Sequence, residues 1–389
     1  MTKLDELIQE LCPDGVEFVS MNELLKRKQI STITPTIKVK RNDYLDIGET
    51  PIISQEIEYI SGYCNFHDKN IPCGNYVCFG DHSEHIKYIN FSFVQGADGL
   101  KIMRTNESTI SSRYLFHALS SKYQRHNNYE RHFKYLTDTI IPVPPLPVQR
   151  EIVRILDNFT ELTAELTAEL TARKKQYAYY RDKLLTHSSE TKICKLADVC
   201  ESIADGDHMP PPKADDGIPF ITISNITEQN KIDFSNTMFV PSSYYDALAD
   251  KRKPHSGDIL YTVVGSYGIP VCIEQDTKFV FQRHIAILRP RSEVIKARYM
   301  FHAMQSGTFK AQADKAAKGA AQKTIGLSSL AEMTLPVPDM CIQERLVRVL
   351  DNFDAICTDL NIGLPAEIEA RQKQYEYYRD KLLSFEEKT

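Results

Sequence analysis

The segment that most constrains this chain runs from Gln149 to Leu185, where apolar residues recur at steps of three or four over most of its length. This spacing predicts one long amphipathic helix. Such a helix would be about 55 Å long, from its rise per residue. Because one apolar stripe of that length cannot be covered by the helix itself, we expect a second helix to pair with it.

The same pattern returns near the C-terminus, as QERLVRVLDNF at 343–353 and RQKQYEYYRDKLL at 371–383. This second copy is the expected partner helix, and Gly363-Leu-Pro365 predicts a break within it. The first copy contains a tandem tetrapeptide, Thr-Ala-Glu-Leu, at 163–166 and 167–170. The residues predicted to form the helix-pairing or partner-binding face are Ile155, Phe159, Leu166, Tyr177, Tyr180, Val349, Phe353, Tyr375 and Tyr378.

Two shorter motifs recur as well. RYLFHAL at 113–119 returns as RYMFHAM at 298–304, and Pro-Val-Pro at 142–144 returns at 336–338. The first motif predicts a short helix. The second marks the entry to each long helix, because proline is not tolerated inside a helix. Before each short helix, alternating runs such as 36–39 and 76–79 predict a mixed α/β domain. The remaining sequences of the two domains do not match, which favours two domains that perform the same function on two different targets.

Composition narrows the class of protein. A chain of 389 residues is long enough for two or three domains with their own cores. The net charge of −5 means that any anion-binding surface must be local. No apolar run is long enough to span a membrane and the charged N-terminus lacks a signal core, so we expect a cytoplasmic protein. The nine scattered cysteines predict reduced thiols.

Motifs for catalysis are missing from the sequence. It contains no glycine-rich dinucleotide motif, no P-loop, no His-Glu-x-x-His and no Gly-x-Ser-x-Gly, so we expect no catalytic residues. Cys64, His67, Cys73 and Cys78 are a conceivable metal site, but their spacing is irregular for zinc. Free thiols in a β-rich domain are the preferred interpretation, and no metal is expected.

Two basic, amide-rich segments occupy equivalent places, just after each short helix. Residues 122–134 and 310–323 each carry a net charge of +3. Arginine and lysine suit phosphates and guanine edges, and asparagine and glutamine suit adenine edges. Each segment alone would also fit a solvated helix face, but their coincidence favours a two-part DNA site. Turn-like loops carrying a histidine, at 80–83 and 205–208, are further candidates, one in each copy. The candidate DNA-binding residues are His82, Ser83, Arg125, Asn128, Arg131, Lys134, His208, Lys213, Lys251, Arg252, Arg283, His284, Lys315, Lys318, Gln322 and Lys323.

The motifs in combination closely resemble the specificity (S) subunits of type I restriction–modification systems. The resemblance rests on Gln-x-x-Ile/Leu-Val-Arg-x-Leu-Asp-x-Phe, on the Thr-Ala-Glu-Leu repeats, which are similar to those of the IC subgroup, and on Arg-x-Lys-Gln-Tyr-x-Tyr-Tyr-Arg-Asp-x-Leu-Leu. It implies an α+β fold with two mixed α/β target recognition domains in pseudo-twofold arrangement, joined by an antiparallel coiled coil of two long helices. The implied ranges are 1–146 and 189–340 for the recognition domains, and 147–188 and 341–389 for the helices.

The resemblance also implies a function. Each recognition domain would read one half of a split sequence in double-stranded DNA, and the chain itself would be non-catalytic. Two methyltransferase (M) subunits would dock on the long helices, and restriction (R) subunits would join them. S-adenosylmethionine, ATP and Mg²⁺ would be bound by those partners, with no cofactor in this chain. No base-reading residue is transferred by motif, so the candidate DNA contacts rest on charge and position alone.

Two alternatives belong to other classes. A coiled-coil interaction scaffold that binds only proteins would show no DNA sequence preference. A metal-dependent nuclease or single-chain methyltransferase would be active without partners, and the missing motifs disfavour it.

Overall fold

A computed structural model describes residues 2–35, 37–65, 70–96, 99–186, 191–206, 211–227, 229–320, 322–359 and 362–388. The helices are α1 (Lys3–Leu11), α2 (Met21–Lys26), α3 (Ser112–Lys122), α4 (Phe133–Asp138), α5 (Leu146–Leu184), α6 (Leu196–Val199), α7 (Ser242–Ala247), α8 (Ala297–Met304), α9 (Gly307–Ala316), α10 (Leu327–Glu332), α11 (Met340–Thr358) and α12 (Leu364–Leu382).

The strands are β1 (Phe18–Ser20), β2 (Ile30–Ile33), β3 (Thr50–Ile53), β4 (Gly62–Cys64), β5 (Tyr76–Gly80), β6 (Ile86–Ile89), β7 (Val94–Gln95), β8 (Leu100–Thr105), β9 (Ile140–Pro142), β10 (Lys192–Lys195), β11 (Cys200–Asp205), β12 (Ile218–Ile221), β13 (Met238–Val240), β14 (Ile259–Thr262), β15 (Pro270–Cys272), β16 (Val280–Phe281), β17 (Ile285–Pro290) and β18 (Thr334–Val337). Short 3-10 helices lie at Arg41–Asp43, Ile223–Asn225 and Asp250–Arg252.

The chain divides into two compact units. Unit 1 consists of Met1–Glu165 and Ile368–Thr389, and unit 2 of Leu166–Glu367. The helices α5 and α12 therefore each contribute one part to unit 1 and another to unit 2. Each unit combines one globular domain with long-helix segments from both copies of the repeat.

The two units have the same strand topology. Unit 1 contains the sheets β2-β8-β5-β6, β4-β3-β7 and β1-β9, and unit 2 contains β11-β17-β14-β15, β13-β12-β16 and β10-β18. Within them, β3 pairs with β7 in parallel, as β12 does with β16. The duplication thus extends through the segments whose sequences do not match, and the predicted α+β class is confirmed.

The long helices form where the sequence predicts them. The helix α5 begins at Leu146, just before the predicted start, with Pro147 in the first turn, where its missing N–H costs no helical hydrogen bond. The second copy is broken as predicted, because α11 ends at Thr358 and α12 begins at Leu364. Gly363 is needed at the break, since a Cβ there would lie 2.6 Å from the carbonyl oxygen of Ala355.

The structure departs from two sequence-based expectations. The alternating run at 36–39 does not form a strand in its described part: Lys38 makes one isolated bridge to Gln95, and Thr36 lies outside the described residues. Pro35, just before it, has no N–H to donate to a ladder. The two basic segments, predicted in equivalent places, also differ in structure. The second copy has nine more residues than the first between its short helix and Pro-Val-Pro (336 − 298 = 38 against 142 − 113 = 29). The helix α9 lies there, between α8 and α10, whereas α3 is followed directly by α4 in unit 1.

The cores explain why each domain and its helix segments form one unit. In unit 1, Ile152 and Leu156 of α5 are fully buried in the same cluster as Tyr114 and Leu115 of α3. In unit 2, Leu350 of α11 joins the cluster of Tyr299 and Met300 in a corresponding way. All nine cysteines are free thiols. Within the described residues, no helix is both long and apolar enough to cross a membrane.

Candidate nucleic-acid interface

In unit 1, the loop that follows β5 holds the basic segment 122–134 in place. The Glu84 side chain is buried and accepts hydrogen bonds from the backbone N–H groups of His126 (2.9 Å) and Asn127 (2.8 Å) and from the Tyr123 hydroxyl (2.6 Å). Burial alone would raise the pKa of Glu84, but these donors together lower it. The carboxylate is therefore ionised at neutral pH and fixes the start of the basic segment.

A second buried carboxylate fixes the other end of that segment. Asp81 accepts a hydrogen bond from the backbone N–H of Phe133 (2.9 Å), and its carbonyl oxygen accepts one from the N–H of His132 (2.8 Å). Lys101 lies 3.5 Å from the other carboxylate oxygen of Asp81. The basic segment between α3 and α4 is consequently a loop anchored at both ends, rather than the solvated helix face that the alternative interpretation assumed.

The candidates on this loop differ in what their side chains do. Arg125 and Arg131 are exposed. The amide of Asn128 is used within the loop, donating to Glu130 (2.9 Å) and contacting Nε2 of His132 (2.7 Å). Lys134 pairs with Glu130 at 2.9 Å. The two arginines are therefore exposed cations of this loop, whereas Asn128 stabilises the loop itself.

The histidine-bearing loop 81–84 packs directly against this basic loop. A ring nitrogen of His82 lies 3.0 Å from the carbonyl oxygen of Glu130, and the His82 ring stacks on Tyr129 with centroids 5.4 Å apart. Tyr129 is 93% exposed, so the stack presents one aromatic face to solvent. The Ser83 hydroxyl donates to the backbone carbonyl of Gln55, which makes Ser83 a structural residue. Sequence reasoning missed Tyr129, although a tyrosine within a basic loop was a usable signal.

In unit 2, candidates from separate segments meet around a cavity of about 280 Å³. Its lining includes Asp205 at the end of β11, Arg283 and His284 in the turn before β17, and Gln322. Burial and the neighbouring Arg283 both lower the pKa of His284, so its imidazole is neutral at neutral pH. Its Nδ1 lies 2.9 Å from the amide nitrogen of Gln282. Distant stretches of sequence thus bring polar side chains together around one cavity, beside apolar residues such as Val263 and Ile325.

Three candidate lysines of unit 2 belong to the basic segment 310–323. Lys315 is in the last turn of α9. Lys318 and Lys323 flank Gln322 in a turn closed by backbone hydrogen bonds between Lys318 and Thr324 (2.8 and 2.9 Å). All three lysine side chains are exposed. Gly319 is required in the turn, because its φ is +119° and a Cβ would lie 2.3 Å from the Gln322 carbonyl oxygen.

The other unit 2 candidates are less informative. Lys251 is at the surface in the 3-10 helix at Asp250–Arg252, and Arg252 lies 3.5 Å from Asp205, so part of its charge is compensated. Lys213 is exposed, and His208 lies outside the described residues.

The two histidine-bearing segments, one in each copy, do not follow equivalent strands of the two domains. The loop at 80–83 lies at the end of β5, whose equivalent in unit 2 is β14, whereas Asp205 and Gly206 lie at the end of β11, whose equivalent in unit 1 is β2. The counterpart of the first loop is therefore the segment after β14, which contains Gly265 and Tyr267.

The possible zinc site is not assembled in the described part of the protein. Cys64 and Cys78 are buried, Cys73 is exposed, and His67 lies outside the described residues. Burial raises the pKa of Cys78 to about 12. The described residues contain no cluster of three or more histidine, cysteine or acidic side chains that could hold a metal ion.

Comparison with known proteins places this architecture in a family. The family model for the type I restriction modification DNA specificity domain matches residues 13–173 and 188–370. The chain belongs to this family. A type I restriction enzyme specificity subunit from Escherichia coli is 30% identical over 427 aligned residues, covering 99% of this chain and 97% of that protein. A putative type I restriction enzyme specificity subunit from Haemophilus influenzae is 32% identical over 258 residues, covering 63% of each chain.

Solved structures agree with the fold of this DNA specificity protein. The S subunit of a type I system from M. genitalium superposes with a TM-score of 0.54 at 13% identity, covering 95% of this chain and 96% of that one. A chain from a study of complex assembly in a type I R-M system gives a TM-score of 0.57 at 16% identity, covering 96% and 98%. At these identities the comparison supports the fold only.

The helix-pairing residues of this specificity protein fall into both units. In unit 1, Phe159 stacks on Tyr378 with ring centroids 5.3 Å apart. In unit 2, Phe353 stacks on Tyr177 (6.3 Å) and on Tyr180 (6.0 Å). Segments of the two long helices therefore pack against each other within each unit, as predicted.

The other pairing candidates vary in burial. Ile155 and Leu166 are half-buried, and Val349 is 43% exposed. Sequence reasoning missed Leu156, which is fully buried. Leu156 lies one position from Ile155 of the predicted stripe. The buried face is wider in the N-terminal part of α5 because the globular domain of unit 1 packs there.

Proposed function

We propose that this chain reads a bipartite sequence in double-stranded DNA, with one half-site contacted by the globular domain of each unit. The observation that carries the proposal is that each domain holds cationic side chains on an ordered surface. In unit 1 these are the exposed Arg125 and Arg131, on the loop that Asp81 and Glu84 anchor. In unit 2 Arg283 and Gln322 line the 280 Å³ cavity, and the exposed Lys318 and Lys323 lie in the same turn as Gln322. Anchored loops bearing arginine and lysine can bind phosphates and present side chains to base edges.

The chain is proposed to be non-catalytic and to act within a larger complex. Its membership in the DNA specificity family supports a role in placing methyltransferase subunits, expected to number two, and restriction subunits on the DNA. S-adenosylmethionine, ATP and Mg²⁺ would be bound by those partner subunits, and the complex would work in the cytoplasm. Among the predicted helix-pairing or partner-binding residues, Tyr180, Val349 and Tyr378 remain partly exposed (38%, 43% and 39%), and these three are the proposed docking surface for the methyltransferase subunits.

The proposal is tested with the full chain reconstituted with its methyltransferase subunits. The complex is incubated with S-adenosylmethionine and a library of random duplexes, and the methylated molecules are sequenced. We expect two short blocks of fixed bases separated by an unread gap of constant length. A protein-only scaffold would leave the methylated pool without any fixed bases, and methylation by the isolated chain would contradict the non-catalytic role.

A pair of variants then assigns one half-site to unit 1. The double substitution Arg125→Ala with Arg131→Ala removes the two exposed cations of the anchored loop. It should weaken binding of the complex and relax the base preference in one block only. Lys26→Ala, an exposed lysine of α2 in the same unit, is the matched control and should leave both blocks unchanged. An equal loss of preference in both blocks would contradict the assignment.

A further inference from the structure

In unit 1, three helices meet at one buried histidine. His117 of α3 is fully buried. Its Nε2 lies 3.1 Å from a carboxylate oxygen of Asp157 in α5, and its Nδ1 lies 2.9 Å from the hydroxyl of Tyr375 in α12. Arg113, one turn before His117, donates to the same Asp157 oxygen at 2.8 Å. The short helix of the recognition domain is thus bound to both long helices through one chain of polar contacts.

The same constellation is built a second time in unit 2. His302 of α8 is fully buried, and its Nε2 lies 2.7 Å from Asp351 of α11. Its Nδ1 lies 2.9 Å from the hydroxyl of Tyr177 in α5. Arg298 donates to the same Asp351 oxygen from Nη2 at 2.6 Å. In both units a buried histidine therefore contacts an aspartate and a tyrosine of the long helices, and an arginine one turn before the histidine donates to the same aspartate.

The direction of these hydrogen bonds is fixed by chemistry. An ionised aspartate can only accept, so Nε2 of the histidine must carry the hydrogen that it donates. In a neutral imidazole Nδ1 then has no hydrogen and accepts from the tyrosine hydroxyl. Burial lowers the pKa of His117 and of His302, and an arginine already compensates the charge of each aspartate. Each constellation therefore requires a tyrosine O–H, and phenylalanine could not replace it without leaving Nδ1 unpaired.

The two tyrosines come from equivalent places in the repeat. Tyr177 and Tyr375 each end an Arg-x-Lys-Gln-Tyr motif, one on α5 and one on α12. The aspartate in each unit belongs to the long helix that follows its own recognition domain, whereas the tyrosine belongs to the other copy of that helix. The Thr-Ala-Glu-Leu repeats lie between Asp157 and Tyr177 in the sequence.

Resting on the bipartite function proposed above, we propose that Tyr177 and Tyr375 are positioning residues that set which half-site spacing the complex accepts. Apolar packing between helices is not directional, whereas hydrogen bonds to a buried histidine fix how the short helix is turned on the two long helices. Losing the tyrosine hydroxyl lets each recognition domain shift on its helices. Neither tyrosine contacts the candidate DNA-binding residues in the described part of its unit, so base preference within each half-site is unaffected.

The test measures gap selectivity of the reconstituted complex with Tyr177→Phe, Tyr375→Phe and the double variant. Substrates are duplexes with both half-sites intact and a gap that is native, one base pair shorter or one longer. Methylation rates on the three gaps are compared. Each single variant should reduce the preference for the native gap by about tenfold, the scale of one hydrogen bond to a buried group. Retained methylation of the native-gap duplex shows that the variant complex is folded.

Matched controls exist on the same helices. Tyr179→Phe and Tyr377→Phe remove hydroxyl groups from tyrosines that are 61% and 62% exposed, and their gap preference should equal that of the wild type. An unchanged gap preference in the double variant would overturn the inference, even if the melting temperature falls, because it would leave the constellation a purely structural role. If the wild-type complex selects no bipartite sequence, the proposed function fails instead, and the two failures are distinguishable.

Discussion

The buried carboxylate of Glu84 is the point at which the basic loop of unit 1 is most open to perturbation. Glu84→Ala removes the acceptor for the backbone N–H groups of His126 and Asn127 and for the Tyr123 hydroxyl. A hydrogen bond to a charged group contributes about 1.5–3 kcal/mol. Loss of the two backbone bonds should therefore lower the local unfolding free energy of the loop by about 3–6 kcal/mol.

Hydrogen–deuterium exchange measures this decrease in local unfolding free energy directly. A loss of about 3 kcal/mol speeds amide exchange by roughly 100-fold or more, since each 1.4 kcal/mol is about a factor of ten. The His126 and Asn127 amides should show this acceleration, while the amides of β5 should not. Glu84→Gln keeps one carbonyl acceptor and should give an intermediate effect. A reconstituted complex carrying Glu84→Ala should also bind DNA more weakly, because Arg125 and Arg131 are no longer held in one arrangement.

A control separates this effect from the loss of any surface carboxylate. Glu10→Ala removes an exposed carboxylate from α1 in the same unit and should leave both exchange and DNA binding unchanged. Unaltered exchange at His126 and Asn127 in Glu84→Ala would refute the reasoning, because the loop would then not depend on the buried acceptor.

Two further predictions concern charge. Burial lowers the pKa of His117 and of His302 below 6.5. At acid pH these two histidines therefore bind more protons in the unfolded chain than in the folded chain. The free energy of unfolding that these histidines contribute is fully present above about pH 6.5. It declines below that pH by up to about 1.4 kcal/mol per pH unit for each histidine. A free energy of unfolding, measured with denaturant, that is constant from pH 7 to pH 5 would contradict this. The triple variant Lys315→Ala, Lys318→Ala, Lys323→Ala should weaken DNA binding and reduce the salt slope of log K by up to about 2.7, from about 0.9 per phosphate contact. An unchanged slope would remove this segment from the interface, and an unchanged melting temperature is expected in either case.

The long helices were predictable because their determinants are local and repeated. Period-3.6 patterning gives α5, and Gly363 followed by Pro365 gives the break between α11 and α12. The rings of Phe159 and Tyr378 lie together as the predicted pairing face requires. Residues such as Leu156 were missed because the width of an apolar stripe depends on what packs beside it, which the helical period alone does not specify.

The strand order that the two domains share was not predictable from their residue patterns, although the family resemblance implied two domains in pseudo-twofold arrangement. Strands such as β5 and β14 occupy equivalent places, yet YVCFG and ILYT share only apolar character. Many apolar sequences satisfy one strand position, so similarity is lost while the fold is kept.

The candidate interface was predictable in its charges but not in its anchoring. Arg125 and Arg131 were found because they lie in a basic, amide-rich segment. Asp81 and Glu84 were not found, because a carboxylate in a turn is normally solvated. These two are buried only because a loop distant in sequence packs over them. Asn128 illustrates the reverse case: its residue type suits adenine, but its amide is hydrogen-bonded within its own loop.

The most direct test of the central claim is methylation mapping with the wild-type chain and a variant carrying one additional Thr-Ala-Glu-Leu repeat after residue 170. Four added helical residues lengthen α5 by about 6 Å and rotate its C-terminal part by about 40°. The prediction is that both half-site sequences stay the same while the unread gap lengthens by one or two base pairs, given about 3.4 Å per base pair. An altered half-site sequence, or an unchanged gap, would contradict the account.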